Sequence, residues 1–375
     1  MTKSLAYRFF PAMAARAAAA LLALAAMAAC GKNVVLPDNP AHGTEPEWEQ
    51  LQGQTPIRFN TAVEQTKSTP LHDLGRYEFH LFGFYQEGET DPANPKTGTW
   101  EDLLKEGWTP NFMYDEVVEW DNGNWSYDPL RYWPSNPENT ITFWAYSSPT
   151  YDQGVISLRK AHSQDPYSTA SEGLPGIKFT TDGSLDLLVS DIAEDQSDSN
   201  ENLDPSNGIV TLMFRHAMCW VDFSVKKEDA ANDYDITLKS LVINNIRSSG
   251  VYEQENGWGN QVDPTQLVFF SGSRLLDGSS PCTFPTEGSI LPLPQRLNWA
   301  SNSPTLRIVY TFKLHAGVED PVEYSANVDL GQITPLWERG KHYSYSISIT
   351  PGNPIFFTAN VQPWDTWQEA YYNVG

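Results

Sequence analysis

Period-two alternation of apolar and polar residues runs through much of the chain beyond residue 55, and it predicts strands. Tyr343, Tyr345, Ile347 and Ile349 alternate with Ser344, Ser346, Ser348 and Thr350, giving one apolar face and one hydroxyl face. Leu306, Ile308, Tyr310, Phe312 and Leu314 repeat the pattern, as do Tyr324, Ala326, Val328 and Leu330. Ile355, Phe357, Ala359 and Val361 give it again near the C-terminus. Asn122-Gly123, set between Glu119-Trp120 and Trp125, signals a type I′ hairpin. Helical patterning is confined to a short piece at 100–106. Layers of antiparallel β-sandwich are expected.

The stretch 191–207, DIAEDQSDSNENLDPSN, has almost no apolar residues and lies between a strand at 185–189 and the apolar run 209–225. It reads as a linker or a long inter-strand loop. With 375 residues, about two domains are expected, and this stretch sets them at 56–205 and 206–375.

The first 55 residues follow another pattern. Lys3, Arg8 and Arg16 give a basic start, the apolar run 17–27 follows, and Ala28-Ala29 lead to Cys30. The run is too short to span a bilayer and reads as a signal peptide, 1–29. Small residues before Cys30 form a lipobox-like ending, the pattern of a bacterial lipoprotein whose cysteine is acylated and becomes the new N-terminus. Ordinary secretion, with Cys30 merely beside the cleavage site, is the alternative. Several acyl chains on one cysteine anchor stably. Residues 30–55 are polar and rich in Pro, Gly and Glu, as in a flexible tether. No later segment has eighteen consecutive apolar residues, so the lipid is the expected membrane attachment.

Composition narrows the function. Dispersed Pro (27) and Gly (25) suit short strands and turns. Lys+Arg 24 against Asp+Glu 47 gives a formal charge of −23, which becomes −26 once the three cations of the signal peptide are removed. Such a chain is a poor partner for nucleic acid. Beyond Cys30 only Cys219 and Cys282 remain; one disulfide is allowed outside the cytoplasm, while Cys219, in an apolar run, reads equally as a buried thiol.

The seven histidines show no metal-ligand spacing, and neither a nucleophile elbow nor a phosphate-binding loop occurs. His216, inside an apolar strand, reads as a hydrogen-bonded core histidine. The acidic residues of 191–204 lack the order of a calcium loop, and no spacing singles out a glycosidase carboxylate pair. No cofactor and no catalytic residue are expected. Six tryptophans (Trp100, Trp108, Trp120, Trp125, Trp133 and Trp144) fall close together. An exposed row of them would stack on sugar rings; beside a hairpin and proline turns they fit sandwich cores better.

A resemblance emerges from several blocks in order. Trp125-Ser-Tyr127, Leu130-Arg-Tyr132-Trp133-Pro134 and Ile141-Thr-Phe143-Trp-Ala145-Tyr146 come first. Asp186-Leu187-Leu188-Val189 leads through the acidic stretch to Val210-Thr-Leu212-Met-Phe214-Arg-His216-Ala217. Leu291-Pro292-Leu293-Pro294-Gln295 and Trp337-Glu-Arg-Gly340-Lys-His-Tyr343-Ser-Tyr345-Ser-Ile347 follow. Together with the lipobox, these cover most of 77–367 and resemble the Bacteroidales fimbrillin family, the type V pilins.

The resemblance implies two tandem transthyretin-like antiparallel β-sandwiches behind a signal peptide and tether. It implies a non-enzymatic outer-membrane lipoprotein at the cell surface, built into a fimbrium with other fimbrial subunits and supporting adhesion to host or bacterial surface ligands. In shaft subunits of that family an arginine-specific protease removes the first strand, and a strand from the next subunit fills the groove. Carried onto this chain, 56–63 is the first strand and Ile355, Phe357, Ala359 and Val361 mark the candidate donor strand. Arg76 is the candidate processing site, and Lys67 stands at the loop position where such a subunit is expected to carry arginine. That departure leaves room for a tip, an anchor or an unpolymerised relative that keeps Cys30. A surface glycan-binding lipoprotein of a polysaccharide-uptake system is the alternative from another class, separated by whether the tryptophan cluster is exposed or buried.

Overall fold

The computed structural model describes residues 52–63, 78–88, 110–121, 123–136, 138–159, 174–198, 208–278, 280–299, 301–352 and 355–364. In chain order the strands are β1 (Gln52–Pro56), β2 (Arg58–Val63), β3 (Phe79–Gln86), β4 (Met113–Asp121), β5 (Asn124–Ser126), β6 (Tyr132–Pro134), β7 (Thr140–Ser147), β8 (Ile156–Arg159), β9 (Gly176–Thr180) and β10 (Leu188–Ser190). They continue as β11 (Ala193–Gln196), β12 (Ile209–His216), β13 (Trp220–Lys227), β14 (Tyr234–Glu253), β15 (Gly257–Leu275), β16 (Cys282–Phe284), β17 (Thr305–Leu314), β18 (Val322–Asp329), β19 (Lys341–Ile349) and β20 (Phe356–Pro363). Two 3-10 turns are the helical elements among the described residues. The fold is all-β, as the alternation predicts; the piece at 100–106 lies outside the described residues.

The first large sheet runs β2-β12-β10-β7-β3-β4-β5, with β11 also on β7. Its central strands are covered on both faces, which explains why FHLFGFYQ of β3 and TITFWAYS of β7 read as nearly unbroken apolar runs. Phe79, Leu81, Ile141 and Phe143 face one core together with Ile57, Phe59, Val210, Leu212 and Phe214. Phe82, Phe84, Trp144 and Tyr146 face a second core with Ile177, Phe179, Tyr252, Leu293 and Trp364. The hairpin predicted at residues 122–123 joins β4 to β5, with Gly123 at φ 89°.

A third core fills a sandwich of two further sheets, β16-β13-β19-β20 and β18-β17-β14-β9-β8. The alternation of β19 points Tyr343, Tyr345, Ile347 and Ile349 into it, each 1% exposed or less. The long strand β14 stitches the molecule together. Residues 234–244 pair with β17, the backbone then bulges at Asn245 (φ 63°), and Ser249 to Tyr252 pair with β9. Strands from before the acidic stretch therefore complete a sheet built mostly from residues after it.

Two local expectations change. Strand pairing begins at Gln52, ahead of residue 56, because β1 pairs with β6. Within 191–207 the chain forms β11 rather than only a loop: Ala193 packs on the first core, and the Asp195 amide donates to Thr142 Oγ1 at 3.0 Å.

Cys219 and Cys282 are both free thiols. Cys219 is fully buried, and burial pushes its pKa well above the ordinary thiol value. Cys282 is only half-buried. Because alkylation needs an accessible thiolate, iodoacetamide at about pH 8 is expected to modify Cys282 in the native protein and Cys219 only after unfolding, read by peptide mass.

Candidate functional site at the sheet edges

The segment 52–63 is held from two directions. Its first part pairs antiparallel with β6, Gln52 opposite Pro134 and Pro56 opposite Tyr132. Its second part pairs in parallel with β12, from Arg58 opposite Ile209 to Val63 opposite Phe214. Parallel neighbours must come from distant parts of a chain, and here about 150 residues separate the two strands. β2 ends the ordered series of strands in its sheet, so it is an edge.

Side chains fix this edge. Ile57 is fully buried; its amide donates to the Arg131 carbonyl at 2.9 Å, and its carbonyl accepts from the Tyr127 hydroxyl at 3.0 Å. Phe59 meets Phe143 edge-on at 5.3 Å and Phe79 edge-on at 6.3 Å. The Trp125 indole donates to Thr61 Oγ1 at 3.1 Å. Trp125 belongs to β5, at the opposite end of the same sheet, so the sheet curls until its two ends meet through side chains. Gly208 sits at the junction with φ 62°, and its carbonyl accepts from the Trp133 indole at 3.1 Å. A Cβ there would stand 2.7 Å from that indole nitrogen, so glycine is required twice over.

The second edge is β20, antiparallel to β19 from Lys341 opposite Pro363 to Ser348 opposite Phe356. Of the candidate donor residues, Ile355 and Phe357 are half-buried against the sandwich core, whereas Ala359 is exposed and Val361 is 46% exposed. Across from β20 lies β18, the edge of the facing sheet, and its apolar row is also incompletely covered, with Tyr324 46% exposed. Between them runs an open groove of about 500 Å³, walled by Tyr324, Ala326 and Val328 on one side and Ile355 and Phe357 on the other.

The far end of β20 is pinned by stacked rings. Trp364 is 1% exposed, its amide donates to the Gly340 carbonyl at 2.7 Å, and its indole stacks on His216 at 3.8 Å and 12°. His216 Nδ1 lies 2.7 Å from the buried Asp186 carboxylate. A parallel arrangement follows alongside: His342 stacks on Trp220 at 3.7 Å and 9°, with Nε2 2.7 Å from Asp222. Asp222 also accepts from Ser344 Oγ. With its Nε2 proton on Asp222, His342 presents Nδ1 to the Gln362 amide of β20 at 3.2 Å. His216 is thus the hydrogen-bonded core histidine expected from its strand, and it also holds the end of β20 through Trp364. This pairing of His216 with Trp364 has no signature in sequence.

Cys30, Lys67 and Arg76 lie outside the described residues, as do Trp100 and Trp108. Trp133 and Trp144 are fully buried, and Trp125 is half-buried, packed against the 37% exposed Trp120 at 5.0 Å. These four do not form an exposed row of indoles.

A sequence model described as fimbrillin-like matches residues 108–364. The chain belongs to the fimbrillin-like family. Within this family setting, it is similar to a curated fimbrium subunit, Fim1C of Phocaeicola vulgatus, at 26% identity over 181 residues. That match takes in 45% of this chain and 46% of the relative, so the chain spans about half the length of the curated relative it matches. The fold is also similar to the crystal structure of a fimbrial protein from Bacteroides vulgatus, with a TM-score of 0.61 and 19% identity over 83% of this chain and 99% of the other. Two-sided edge closure by 52–63 and ring-pinning of β20 are thus features of a fimbrillin-like chain.

Phe59→Ala removes a buried ring from the first core and is expected to cost about 3–5 kcal/mol in denaturant unfolding. Trp364→Ala is expected to raise amide hydrogen exchange in β20 while leaving exchange in the β14–β17 ladder unchanged, because only the chain end loses its anchor.

Proposed function

We propose that the protein is a non-enzymatic subunit of a cell-surface fimbrium that joins other fimbrial subunits by strand complementation. The observation that carries this reading is the placement of 52–63. It is a separable strap on a sheet edge, seated by two deep anchors, Ile57 and Phe59, and by backbone pairing to β6 and β12. Removing it would leave a row of unpaired β12 backbone groups and an empty apolar trough, both costly in water. A strand with alternating apolar residues from another subunit would satisfy both.

β20 suits the complementary role. Ile355, Phe357, Ala359 and Val361 alternate along it, and half of them are already exposed, so withdrawing this strand from its own sheet sacrifices little burial. In this reading Cys30 carries the lipid that takes the chain to the outer membrane, and cleavage at Arg76, between β2 and β3, frees the strap. Lys67 in the same connection is the second candidate processing position, at the place where a processed subunit is expected to carry arginine. The tandem transthyretin-like division at 56–205 and 206–375, and adhesion to host or bacterial surface ligands, belong to the same proposal. The buried Trp133 and Trp144 offer no support for a glycan-uptake lipoprotein.

Mass and N-terminal sequencing of the protein recovered from its own host's surface test this. The expected result is a mature chain starting at or near Tyr77 within a ladder of heat-sensitive multimers, and Phe357→Ser is expected to collapse the ladder to monomer. A monomer still carrying acylated Cys30 would overturn the polymerising role.

A further inference from the structure

Apart from both edges, the fold builds a second cleft of about 340 Å³. It is lined by Trp258, Asn260 and Gln261 of β15, by Arg296 and Trp299 of the connection after Gln295, and by Leu336. None of its lining residues belongs to β2, β12, β19 or β20.

Three features set it apart from an incidental surface dent. The first is rigidity. Buried Gln295 accepts from the Arg247 amide at 2.9 Å and donates to the Arg247 and Leu293 carbonyls at 3.1 and 3.0 Å, which clamps the connection to β14. The Leu297 amide donates to Pro335 and the Trp337 amide to Gln295, bracing the opposite wall. Trp258 is fixed by its indole bond to the Ala217 carbonyl at 2.6 Å.

The second feature is an aromatic surface kept partly open. Trp299 is 38% exposed, and the Arg247 guanidinium lies 5.8 Å from its ring centre. Trp299 lines the cleft, and more than a third of its surface stays in solvent. The third feature is charge. In a chain with 47 acidic residues the described lining contains none, while Arg296 is exposed and has no carboxylate within ion-pair distance among the described residues.

We infer that this cleft binds a carboxylate-bearing saccharide. The partly exposed Trp299 indole offers a surface for the C–H face of a pyranose ring, and the amides of Asn260 and Gln261 supply both donors and acceptors for hydroxyls. Gln261 donates one bond to the Pro294 carbonyl and keeps its carbonyl oxygen as an acceptor. Arg296 then takes the carboxylate through its planar fork. An acidic peptide would use Arg296 but gains less than a sugar ring from the exposed Trp299 indole beside it. This inference does not depend on the fimbrial reading.

The test is titration of the full chain with a tetrasaccharide alternating glucuronic acid and N-acetylglucosamine, followed by tryptophan fluorescence and calorimetry. The wild-type protein is expected to bind it, and Trp299→Ala to weaken binding about tenfold through loss of the stacking face. Arg296→Gln is expected to weaken it by a similar factor of about ten, and the carboxyl-reduced tetrasaccharide to bind the wild type no better than that variant binds the acidic form. Trp120→Ala, which removes an exposed indole elsewhere, is expected to leave binding unchanged. Both cleft substitutions are at exposed side chains, and unchanged melting temperatures check the fold. Absence of binding, equal binding by Trp299→Ala, or a polyglutamate peptide binding as tightly as the saccharide would each overturn the assignment.

Discussion

An edge strand with unpaired backbone groups is the constraint on which this structure turns. The first core is closed only when 52–63 lies against β6 and β12, because no other described strand covers that edge. Ile57 and Phe59 fill the space between β12, β7 and the aromatic cluster around Trp125, so backbone pairing and apolar burial are satisfied by one short segment. A segment that does both jobs with local contacts is separable in principle: its replacement needs only the same backbone direction and the same two apolar positions. Parallel pairing matters here, since it joins β2 to a strand far along the chain.

The two edges differ in how firmly they are held. β2 is anchored at its start by the buried Ile57 and Phe59, whereas β20 is half-buried at its start, exposed through its middle and pinned chiefly at its end by Trp364. An exchange of strands is favourable when the donated strand gives up less than it gains. In the proposed exchange β20 would give up two partial burials and one stacked indole, and a trough shaped like that of Ile57 and Phe59 would take two of its apolar residues. The His216–Trp364 stack and the Gln362–His342 bond therefore hold β20 on its own sheet, and they do so with groups that lie beyond the alternating run itself.

Much of the fold was legible from alternation alone. β17 and β19 appear where Leu306, Ile308 and Tyr310, and Tyr343 through Ile349, mark one apolar face, and the hairpin at residues 122–123 closes β4 onto β5. Alternation fixes which face of a strand is buried but not which strand lies beside it. Hence the parallel pairings of β2 with β12 and of β13 with β19, and the passage of β14 from β17 to β9, had no signal. The short β11 was hidden because Ala193 alone among acidic neighbours carries its burial. The tryptophan cluster shows the reverse: its flanking turns pointed to core packing, and Trp133 and Trp144 are buried. Trp258 and Trp299, distant in sequence from that cluster, gave no pattern at all, and neither did Arg296.

Placement of the second cleft away from both edges has a consequence for a chain of this charge. The proposed strand exchange would consume β2 and β20, and a site built on either would vanish in an assembled state. The cleft draws on β15 and a clamped connection, so it stays open whether or not the edges are occupied. A formal charge of −23 repels anionic ligands at long range, but at physiological salt that repulsion is screened within about 8 Å. Recognition of an acidic saccharide must then come from contact, where a guanidinium with no carboxylate in ion-pair distance among the described residues acts beside the partly exposed Trp299 inside the screening length. That explains why the walls are braced so closely: a short-range site gains affinity only when its groups are already in place before the ligand arrives.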